Sequence, residues 1–345
     1  MPKILIIRFS SIGDIVLTTP VIRCLKLQLK AELHFLTKRA YHQLLSSNPY
    51  IDKVHSIEKK VGEILTALKT ERFDHIVDLH KNLRSAQVKW ALSAPSSSFD
   101  KLNVEKWLRV HLHINRLPKL HIVDRYLQSV AHLGVHNDGA GLDYFVPTDI
   151  QLSTHPQLVP YLQEHRIIVF AIGAAHATKR LPCYKIIETC TALATSLGQS
   201  PQPHLIALIG GTTEAATGKQ VVTAVRPTLR NPTSILNLCG ATSLHQSAAL
   251  VKRADVVITH DTGMMHIAAA FRKHIISVWG NTISDFGMYP YYPQGMNKNT
   301  SIAVSQLSCR PCSKIGHAQC PKGHFRCMQD IDPQQIVEAV NAVLD

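Results

Sequence analysis

The chain has 345 residues, a length that favours two domains over a single hydrophobic core. Hydrophobic residues make up 45% and charged residues 18%, a composition that excludes intrinsic disorder. The net charge of +13 favours an anionic partner, such as a nucleic acid, a phosphorylated substrate or an anionic membrane surface.

The distribution of apolar residues bears on the location of the protein. No stretch of 18 or more apolar residues occurs, so the sequence predicts no membrane-spanning helix. The first residues form a short strand-like run and lack the apolar core and cleavage pattern of a signal peptide. We therefore expect a cytoplasmic protein.

The first half of the chain alternates short apolar runs with helical patterns. This alternation predicts a parallel sheet with helices on both faces. A turn or loop is predicted at residues 94–98, and Asp124 is predicted to cap a helix that runs to about Gly134. The predicted strands are 4–7, 33–36, 53–57 and 75–79, and the other predicted helices are 15–29 and 61–68.

The second half repeats the same alternation after a polar, proline-containing stretch at 135–160, which we interpret as a linker. The sequence therefore predicts two Rossmann-like α/β domains, residues 1–150 and 160–345. Two such domains place a ligand cleft between the carboxyl edges of their strands. The predicted strands are 167–172, 204–209, 234–238, 255–259 and 275–278, and the predicted helices are 183–197, 243–252, 264–271 and 333–344.

The segment after the first strand carries the first candidate site. Ser10, Ser11 and Gly13 are small enough to let another molecule approach the backbone, and Asp14 lies at the start of the following helix. A carboxylate in that position suits a general base for an incoming hydroxyl. Capping and the helix dipole also favour Asp at helix N-termini, so position alone leaves both interpretations open.

Two segments of the second domain suit a diphosphate. In residues 173–182, Lys179 and Arg180 follow a turn of small residues, although a solvated basic loop has the same pattern. In residues 255–266 a buried strand leads into Asp261-Thr262-Gly263 and then a helix that contains His266. Free N–H groups at such a helix start bind anions, whereas an ordinary capped helix with a core histidine is the alternative.

Two weaker patterns complete the candidates. Gly210-Gly211 precedes Glu214, which suits a ribose or a base but equally an ordinary strand-to-helix loop. Four cysteines between residues 309 and 327 have the number and residue type of a tetrahedral zinc site, although reduced structural thiols or a disulfide are alternatives. The four are Cys309, Cys312, Cys320 and Cys327.

In combination these stretches resemble glycosyltransferase family 9, the ADP-heptose:lipopolysaccharide heptosyltransferases. The N-terminal match is SSIGD at 10–14 followed by Thr19-Pro20, and the stronger match is DTGMMHIAAA at 261–270 followed by WGNT at 279–282. The resemblance covers nearly the whole chain. Its specificity comes from the order and spacing of the pieces.

The resemblance implies a GT-B fold, transfer of heptose from ADP-heptose to a lipopolysaccharide inner-core acceptor with inversion, and no required catalytic cofactor. It implies that Asp14 is the base and that Lys179 holds the diphosphate, although His176 and Thr178 are alternatives for the phosphates. A structural zinc in the segment 309–327 does not follow from the family. The further donor-binding residues that the resemblance implies are Thr178, Glu214, Thr242, Asp261, Thr262, Gly263 and His266.

Acceptor binding is inferred from charge and location. The basic stretch between residues 81 and 125 is expected to face an anionic lipid-linked saccharide and to hold the protein peripherally at the inner face of the cytoplasmic membrane. No nucleic acid is expected as a partner. The residues expected to contact the acceptor are Ser10, Ser11, Lys81, Arg84 and Lys101.

Two other functions fit parts of the sequence. A GT-B enzyme acting on another nucleotide sugar, either a transferase or an epimerase, has the same architecture, although an epimerase needs no basic acceptor surface. A nucleic-acid-binding protein would explain the positive charge and the cysteines. It requires basic residues interleaved with exposed aromatic residues, and aromatic residues are only 6% of this chain.

Overall fold

The computed structural model describes residues 1–230 and 232–345. The chain divides into two compact units, whose boundaries differ from the expected 1–150 and 160–345. The chain passes from one unit to the other after Phe145, inside the expected linker, but two further segments change sides. Unit 1 is Met1–Val104, Pro118–Phe145 and Tyr291–Met296, and unit 2 is Glu105–Leu117, Val146–Pro290 and Asn297–Asp345.

Unit 1 contains a five-stranded parallel sheet of order β3-β2-β1-β4-β5. The central strands are buried apolar runs, as expected when helices cover both faces of a parallel sheet. The predicted strands of this half are confirmed to within two or three residues. The strands are β1 Lys3–Ile7, β2 Glu32–Lys38, β3 Lys53–Ile57, β4 His75–Asp78 and β5 Ser96–Ser98.

The helices in the first half of the chain are shorter than the sequence predicts. The helix expected at 15–29 is two helices, because Pro20 has no N–H for the carbonyl of Val16. The Thr19 hydroxyl donates to that carbonyl instead, at 2.7 Å. The helices are α1 Ile12–Val16, α2 Thr19–Leu29, α3 Gln43–Ser46, α4 Leu65–Glu71, α5 Leu83–Leu92, α6 Asn103–His111 and α7 Ile122–Gln128.

Three other local predictions for this half are wrong. Residues 61–63 form a 3-10 turn ahead of α4, so the helix expected at 61–68 starts later. Residues 96–98 form an edge strand rather than a loop, a position that tolerates the preceding proline. His121 rather than Asp124 caps α7, since its ring accepts the N–H of Val123 at 3.1 Å.

Unit 2 contains a six-stranded parallel sheet of order β11-β10-β9-β6-β7-β8. Numbered within the unit, this is the doubly wound order 3-2-1-4-5-6 read from the other edge. The predicted strands are confirmed, and β11 was not anticipated. The strands are β6 Arg166–Ala171, β7 His204–Ile209, β8 Thr233–Asn237, β9 Val256–His260, β10 His274–Trp279 and β11 Asn299–Ala303.

The helices in the second half of the chain all belong to unit 2, and four of them pack against a continuous apolar core to which β6, β7, β9 and β10 contribute. The four predicted helices are present within one residue at each end, and α9 and α12 were not anticipated. None of the helices in residues 1–230 or 232–345 combines the length and apolarity needed to cross a bilayer. The helices are α8 Cys183–Leu197, α9 Ala215–Val225, α10 Leu244–Arg253, α11 Gly263–Ala270, α12 Arg326–Gln329 and α13 Pro333–Leu344.

Each sheet has one switch point, at which the connections that follow two neighbouring strands run in opposite directions. It lies between β1 and β4 in unit 1 and between β6 and β9 in unit 2. Ligands of doubly wound sheets bind at the carboxyl ends of the strands on either side of this point. A ligand-binding site is therefore expected among the residues that follow these four strands.

Candidate active site

Unit 1 places Arg8 and Asp14 at its switch point. Arg8 directly follows β1, and its Nη1 donates to the carbonyl of Leu79, the first residue after β4, at 2.5 Å. Arg8 Nη2 lies 2.6 Å from Oδ1 of Asp14, the third residue of α1. The Arg8 side chain thus connects the ends of β1 and β4 to Asp14, the predicted base.

The Asp14 carboxylate is ionised and held in one position. Burial opposes its ionisation, but the charge of Arg8 and the hydrogen bonds from Ser11 outweigh burial and lower the pKa of Asp14. The Ser11 hydroxyl and backbone N–H both donate to Oδ2, at 2.8 and 3.1 Å. The side chain is 22% exposed and accessible to a substrate, so Asp14 both completes the capping box with the N-cap residue Ser11 and is the candidate base.

Sequence analysis missed two residues at this edge of unit 1, Arg8 and His80. The ring of His80 packs edge-on against Phe9, with 5.3 Å between ring centroids, and its Nδ1 is buried without a hydrogen-bond partner. Burial, followed by the charges of Arg8 and Lys101, lowers the pKa of His80 to about 4, so the ring is neutral at pH 7. A charged residue directly after an apolar strand was the available signal for Arg8, whereas the only signal for His80 was its place in the segment after β4, where an acceptor could bind.

The predicted acceptor residues lie at the same edge of unit 1. Ser11 binds Asp14, and the backbone carbonyl of Ser10 accepts Nε of Arg8 at 2.8 Å. Lys81 and Arg84 are exposed, in the loop after β4 and in the first turn of α5. Lys101 lies close enough to His80 to lower the pKa of the ring.

Unit 2 brings Lys179 and Asp261 together at its own switch point. Lys179 follows β6 and Asp261 follows β9, and Lys179 Nζ lies 2.6 Å from Asp261 Oδ2. Both side chains are nearly buried, at 15% and 12% exposure. The Thr282 hydroxyl, which follows β10, donates to the same carboxylate oxygen at 2.8 Å. Three strand ends thus contribute to one polar cluster.

Helix α11 begins beside this cluster. Thr262 is its N-cap residue and Gly263 its first residue, and the Thr262 side chain makes no capping hydrogen bond. The N-terminus of the helix therefore remains suited to an anion. His266 lies one turn further on and is only 2% exposed, so it belongs to the packed face of the helix.

His260, the last residue of β9, holds the loop that carries Lys179. Its Nε2 accepts the backbone N–H of Leu181 at 3.0 Å, and the side chain is fully buried. Burial lowers the pKa of His260 to about 4, which keeps the ring neutral and able to accept. Sequence analysis assigned no role to His260.

Glu214 anchors the turn after β7. Its Oε2 accepts the N–H of Gly211 at 2.9 Å, and its Oε1 lies 3.1 Å from Nη1 of Arg180. Gly173 and Gly210 make room for it, since a Cβ at either position would meet Glu214 atoms at 3.0 and 2.9 Å. Glu214 therefore links the β7 turn to the basic loop.

Two predicted donor residues are engaged in local contacts. The Thr178 hydroxyl accepts the backbone N–H of His317 at 2.8 Å and is 1% exposed. Thr242 pairs with Ser247 at 2.8 Å in the turn before α10. These contacts fix the loops and leave the Thr178 hydroxyl out of reach of solvent.

Asn281 is a polar residue beside the Lys179–Asp261 cluster that sequence analysis used only as part of a family motif. Its side chain is 1% exposed, and neither its Oδ1 nor its Nδ2 has a hydrogen-bond partner among the described residues. Its neighbour Thr282 binds Asp261. The amide is thus a buried group with unused hydrogen-bonding capacity.

The four cysteines of 309–327 carry free thiols. Burial and neighbouring cysteines raise the pKa of Cys312, and they raise that of Cys327 to about 12. Cys309 Sγ lies 3.8 Å from His324 Nε2. The thiols are gathered, but within residues 1–230 and 232–345 no three of these ligand atoms approach within 4.8 Å of one another, so no tetrahedral metal site is preformed.

Another cluster of metal-binding residue types, His34, His55 and Glu71, lies near the amino edge of the unit 1 sheet. His34 Nδ1 and His55 Nε2 are 3.0 Å apart, and His34 Nε2 lies 3.0 Å from Glu32. The Glu71 carboxylate is paired with two lysines, at 3.0 and 2.5 Å. Because the hydrogen-bonding and charged groups of this cluster already bind one another, we interpret the cluster as structural.

Comparison with known proteins finds similarity over the full length of the chain. Lipooligosaccharide heptosyltransferase 2 of Haemophilus influenzae is 25% identical over 367 residues and 99% of both chains. The solved ADP-heptose lipopolysaccharide heptosyltransferase II of Escherichia coli has a TM-score of 0.73 and 22% identity, over 99% of this chain and 98% of its own. A family 9 glycosyl transferase from Veillonella parvula has a TM-score of 0.75 and 21% identity, over 99% and 97%.

The two parallel sheets and these structural neighbours define a protein of the GT-B fold class. The model of glycosyltransferase family 9 (heptosyltransferase) matches residues 61–322, which is well over half of the chain. The protein belongs to that family. The predictions of family, fold class and enzyme class are confirmed.

Proposed function

We propose that the protein is an inverting heptosyltransferase that moves a heptose from ADP-heptose to a lipopolysaccharide inner-core acceptor. The observation that carries the proposal is the pairing of Lys179 with Asp261 beside the N-terminus of α11. A sugar diphosphate presents negative charge and hydroxyl groups side by side. The pair offers a cation for the charge and a carboxylate for the hydroxyls. The heptosyltransferase names of the full-length relatives support this choice of sugar.

Donor binding is assigned to unit 2. Lys179 and the first-turn N–H groups of α11, at Thr262 and Gly263, would hold the diphosphate, and Asp261 would accept hydrogen bonds from sugar hydroxyls. A buried amide without partners costs about 1–3 kcal/mol, so a donor group that binds Asn281 would recover part of that cost. Glu214 would contact the nucleoside through its position on the β7 turn.

The reaction is a single displacement. The acceptor hydroxyl oxygen attacks the anomeric carbon, the bond from that carbon to the diphosphate oxygen breaks, and ADP leaves with the electron pair. Asp14 takes the hydroxyl proton. Charge grows on the diphosphate as its bond breaks, and Lys179 with the α11 N-terminus stabilises that charge, so we expect transfer without a catalytic metal.

The acceptor assignment completes this part of the proposal. An inner-core acceptor is an anionic saccharide on a lipid, and the exposed cations Lys81 and Arg84, together with Lys101, suit its charges. Work on such an acceptor takes place at a membrane surface. We therefore assign the protein to the inner face of the cytoplasmic membrane, as a peripheral protein.

A structural zinc at Cys309, Cys312, Cys320 and Cys327 is a separate part of the proposal. The support is the closeness of the thiols, because the neighbouring cysteines add to the effect of burial in raising the pKa values of Cys312 and Cys327. A cation among them would reverse that effect and favour the thiolates. The sulfur atoms would have to move closer to bind it.

The experiment that tests the main proposal uses a panel of nucleotide sugars and an isolated inner-core acceptor. We expect ADP-heptose to raise the unfolding temperature most and to be the donor consumed. The product should carry the anomeric configuration opposite to that of the donor. Consumption of another nucleotide sugar in preference would favour a different GT-B transferase. Interconversion of a nucleotide sugar without an acceptor would favour an epimerase.

A further inference from the structure

Helix α6 and the residue after it carry an apolar stripe that faces solvent. Val104, Trp107, Leu108 and Leu112 recur at the spacing of one helical face. The N–H of Leu112 donates to the carbonyl of Leu108 at 3.0 Å, so the stripe continues past the end of the helix. Val104 is 66% exposed, Trp107 54% and Leu112 52%.

The lack of any buried residue sets α6 apart from the other α-helices of the described chain. No residue of α6 is buried, whereas α2 buries seven of its 11 residues and α10 five of its 10. An amphipathic helix of a globular protein normally turns its apolar face to the core. Exposed apolar surface of this kind marks an interaction site.

The charge around the stripe indicates which partner covers it. Residues 101–119 contain five lysine or arginine residues and one carboxylate, Glu105, which gives a net charge of +4. A second copy of the chain would bring the same charge and be repelled. An anionic lipid surface offers both opposite charge and apolar contact, and tryptophan is enriched at membrane interfaces.

We propose that α6 lies in the plane of an anionic bilayer surface, with Val104, Trp107 and Leu112 among the acyl chains and the neighbouring cations at the headgroups. The proposal deepens the proposed function and rests on it, since a lipid-linked acceptor is the reason for the enzyme to be there. It adds insertion of apolar side chains to the electrostatic attraction that the sequence already predicts.

Vesicle sedimentation tests the stripe. The double variant Trp107→Asp, Leu112→Asp is expected to bind phosphatidylglycerol-containing vesicles at least about 10-fold more weakly, because two apolar side chains that would insert into the bilayer become charges. Leu27→Asp is the matched control, since Leu27 on α2 is a leucine of similar exposure, 58%. It should leave binding unchanged. Unaltered binding of the double variant, or equal loss in the control, would overturn the proposal.

Tryptophan fluorescence tests insertion directly. The chain has three tryptophans, and Trp279 is buried at 2% exposure. In a Trp90→Phe background, changes on adding vesicles therefore report on Trp107. We expect a shift of emission to shorter wavelength and quenching by brominated lipid acyl chains, both retained in part at 0.5 M salt. Vesicle binding without either change would mean attraction by charge alone and would overturn insertion.

Activity assays separate this proposal from the proposed function. The double variant should transfer heptose at the parent rate to a water-soluble, lipid-free acceptor saccharide and more slowly to acceptor in vesicles. If the parent protein transferred no heptose, the proposed function would be wrong. The membrane proposal would still hold if the double variant had lost vesicle binding. Concentration-dependent dimerisation that the variant abolishes, without vesicle binding, would identify a second copy as the partner and overturn the proposal.

Discussion

Lys179 Nζ lies 2.6 Å from Asp261 Oδ2, so the residues predicted to bind opposite parts of the donor are bound to each other. Replacing Lys179 by Gln is expected to weaken ADP binding by about 10- to 100-fold. A hydrogen bond to a charged group contributes about 1.5–3 kcal/mol, and each 1.4 kcal/mol is tenfold in affinity. Calorimetric titration with ADP measures the change.

The control for that variant is Lys185→Gln. Lys185 on α8 pairs with Glu188 at 3.0 Å and has an exposure close to that of Lys179, 16% against 15%. Its replacement therefore removes a comparable lysine of the same unit without touching the cluster. ADP affinity should stay at the parent value. Equal affinities of the Lys179→Gln variant and the parent would show that the diphosphate binds elsewhere.

The second prediction concerns Asp14 as the base. Asp14→Asn should slow transfer by about 10²–10⁴-fold, the usual contribution of general base catalysis, and should leave ADP affinity at the parent value. Single-turnover kinetics with saturating donor measure the chemical step. A variant that keeps more than about half of the activity would contradict the assignment.

The third prediction concerns Arg8, which keeps the pKa of Asp14 below its ordinary value of 3.8. Transfer needs the carboxylate, so activity is lost only as pH falls through that lowered pKa, and the acid limb lies below pH 3.8. In Arg8→Gln, burial acts without the compensating charge, and the limb should move to higher pH. Profiles of kcat/KM test this, with Arg8→Lys as the conservative control. Superimposable profiles for Arg8→Gln and the parent would mean that Arg8 has no such effect.

The fourth prediction uses His260, whose pKa burial lowers to about 4. In the unfolded chain His260 takes up a proton near pH 6.5, whereas in the folded chain it does not. Its full contribution to the free energy of unfolding is therefore present above pH 6.5 and is lost as pH falls towards 4. The expected loss between pH 7 and pH 5 is about 2 kcal/mol. Urea unfolding of the parent and of His260→Gln, which retains an acceptor for Leu181, should differ in pH dependence by this amount. Equal pH dependence would contradict the prediction.

The sequence predicts most of the strands because these are short apolar runs between breakers, as in β6 and β9. It does not predict the edge strands β5 and β11, which are mainly polar. It predicts helix ends less well, because these depend on single contacts. The hydroxyl of Thr19 takes the carbonyl that Pro20 leaves unpaired, and the ring of His121 caps α7. Neither contact follows from hydrophobic periodicity.

The same limit applies to the site. The segments that carry Asp14, Lys179 and Asp261 are identifiable because strand, turn and helix follow in order. The roles of Arg8 and His260 depend on partners far along the chain, at Leu79 and Leu181. Such pairings appear only once the strand order is known, since it is the order that brings the ends of β1 and β4, or of β6 and β9, together.

The fifth prediction concerns the cysteines. Elemental analysis of protein prepared without chelator should find about one zinc per chain, held by Cys309, Cys312, Cys320 and Cys327. Chelation should destabilise unit 2 without removing a catalytic group. Cys320→Ser should lower the zinc content, and Cys183→Ser, outside the segment, should not. Metal-free protein whose four thiols are freely alkylated in the native state would end the zinc proposal.

The last prediction concerns the cations around α6. Charge reversal at Lys101, Lys106 and Arg109 should raise the Michaelis constant for a lipid-linked acceptor and leave the constant for the donor unchanged. Each basic residue near an anionic surface contributes about 1 kcal/mol, screened over a Debye length of about 8 Å at physiological salt, so the effect should shrink as salt rises. Reversal at the exposed Lys59, Lys60 and Lys69 makes the same change in net charge elsewhere on the surface and is the control. A change in the Michaelis constant for the donor, or equal effects of both triple variants, would show that the basic residues around α6 do not bind the acceptor.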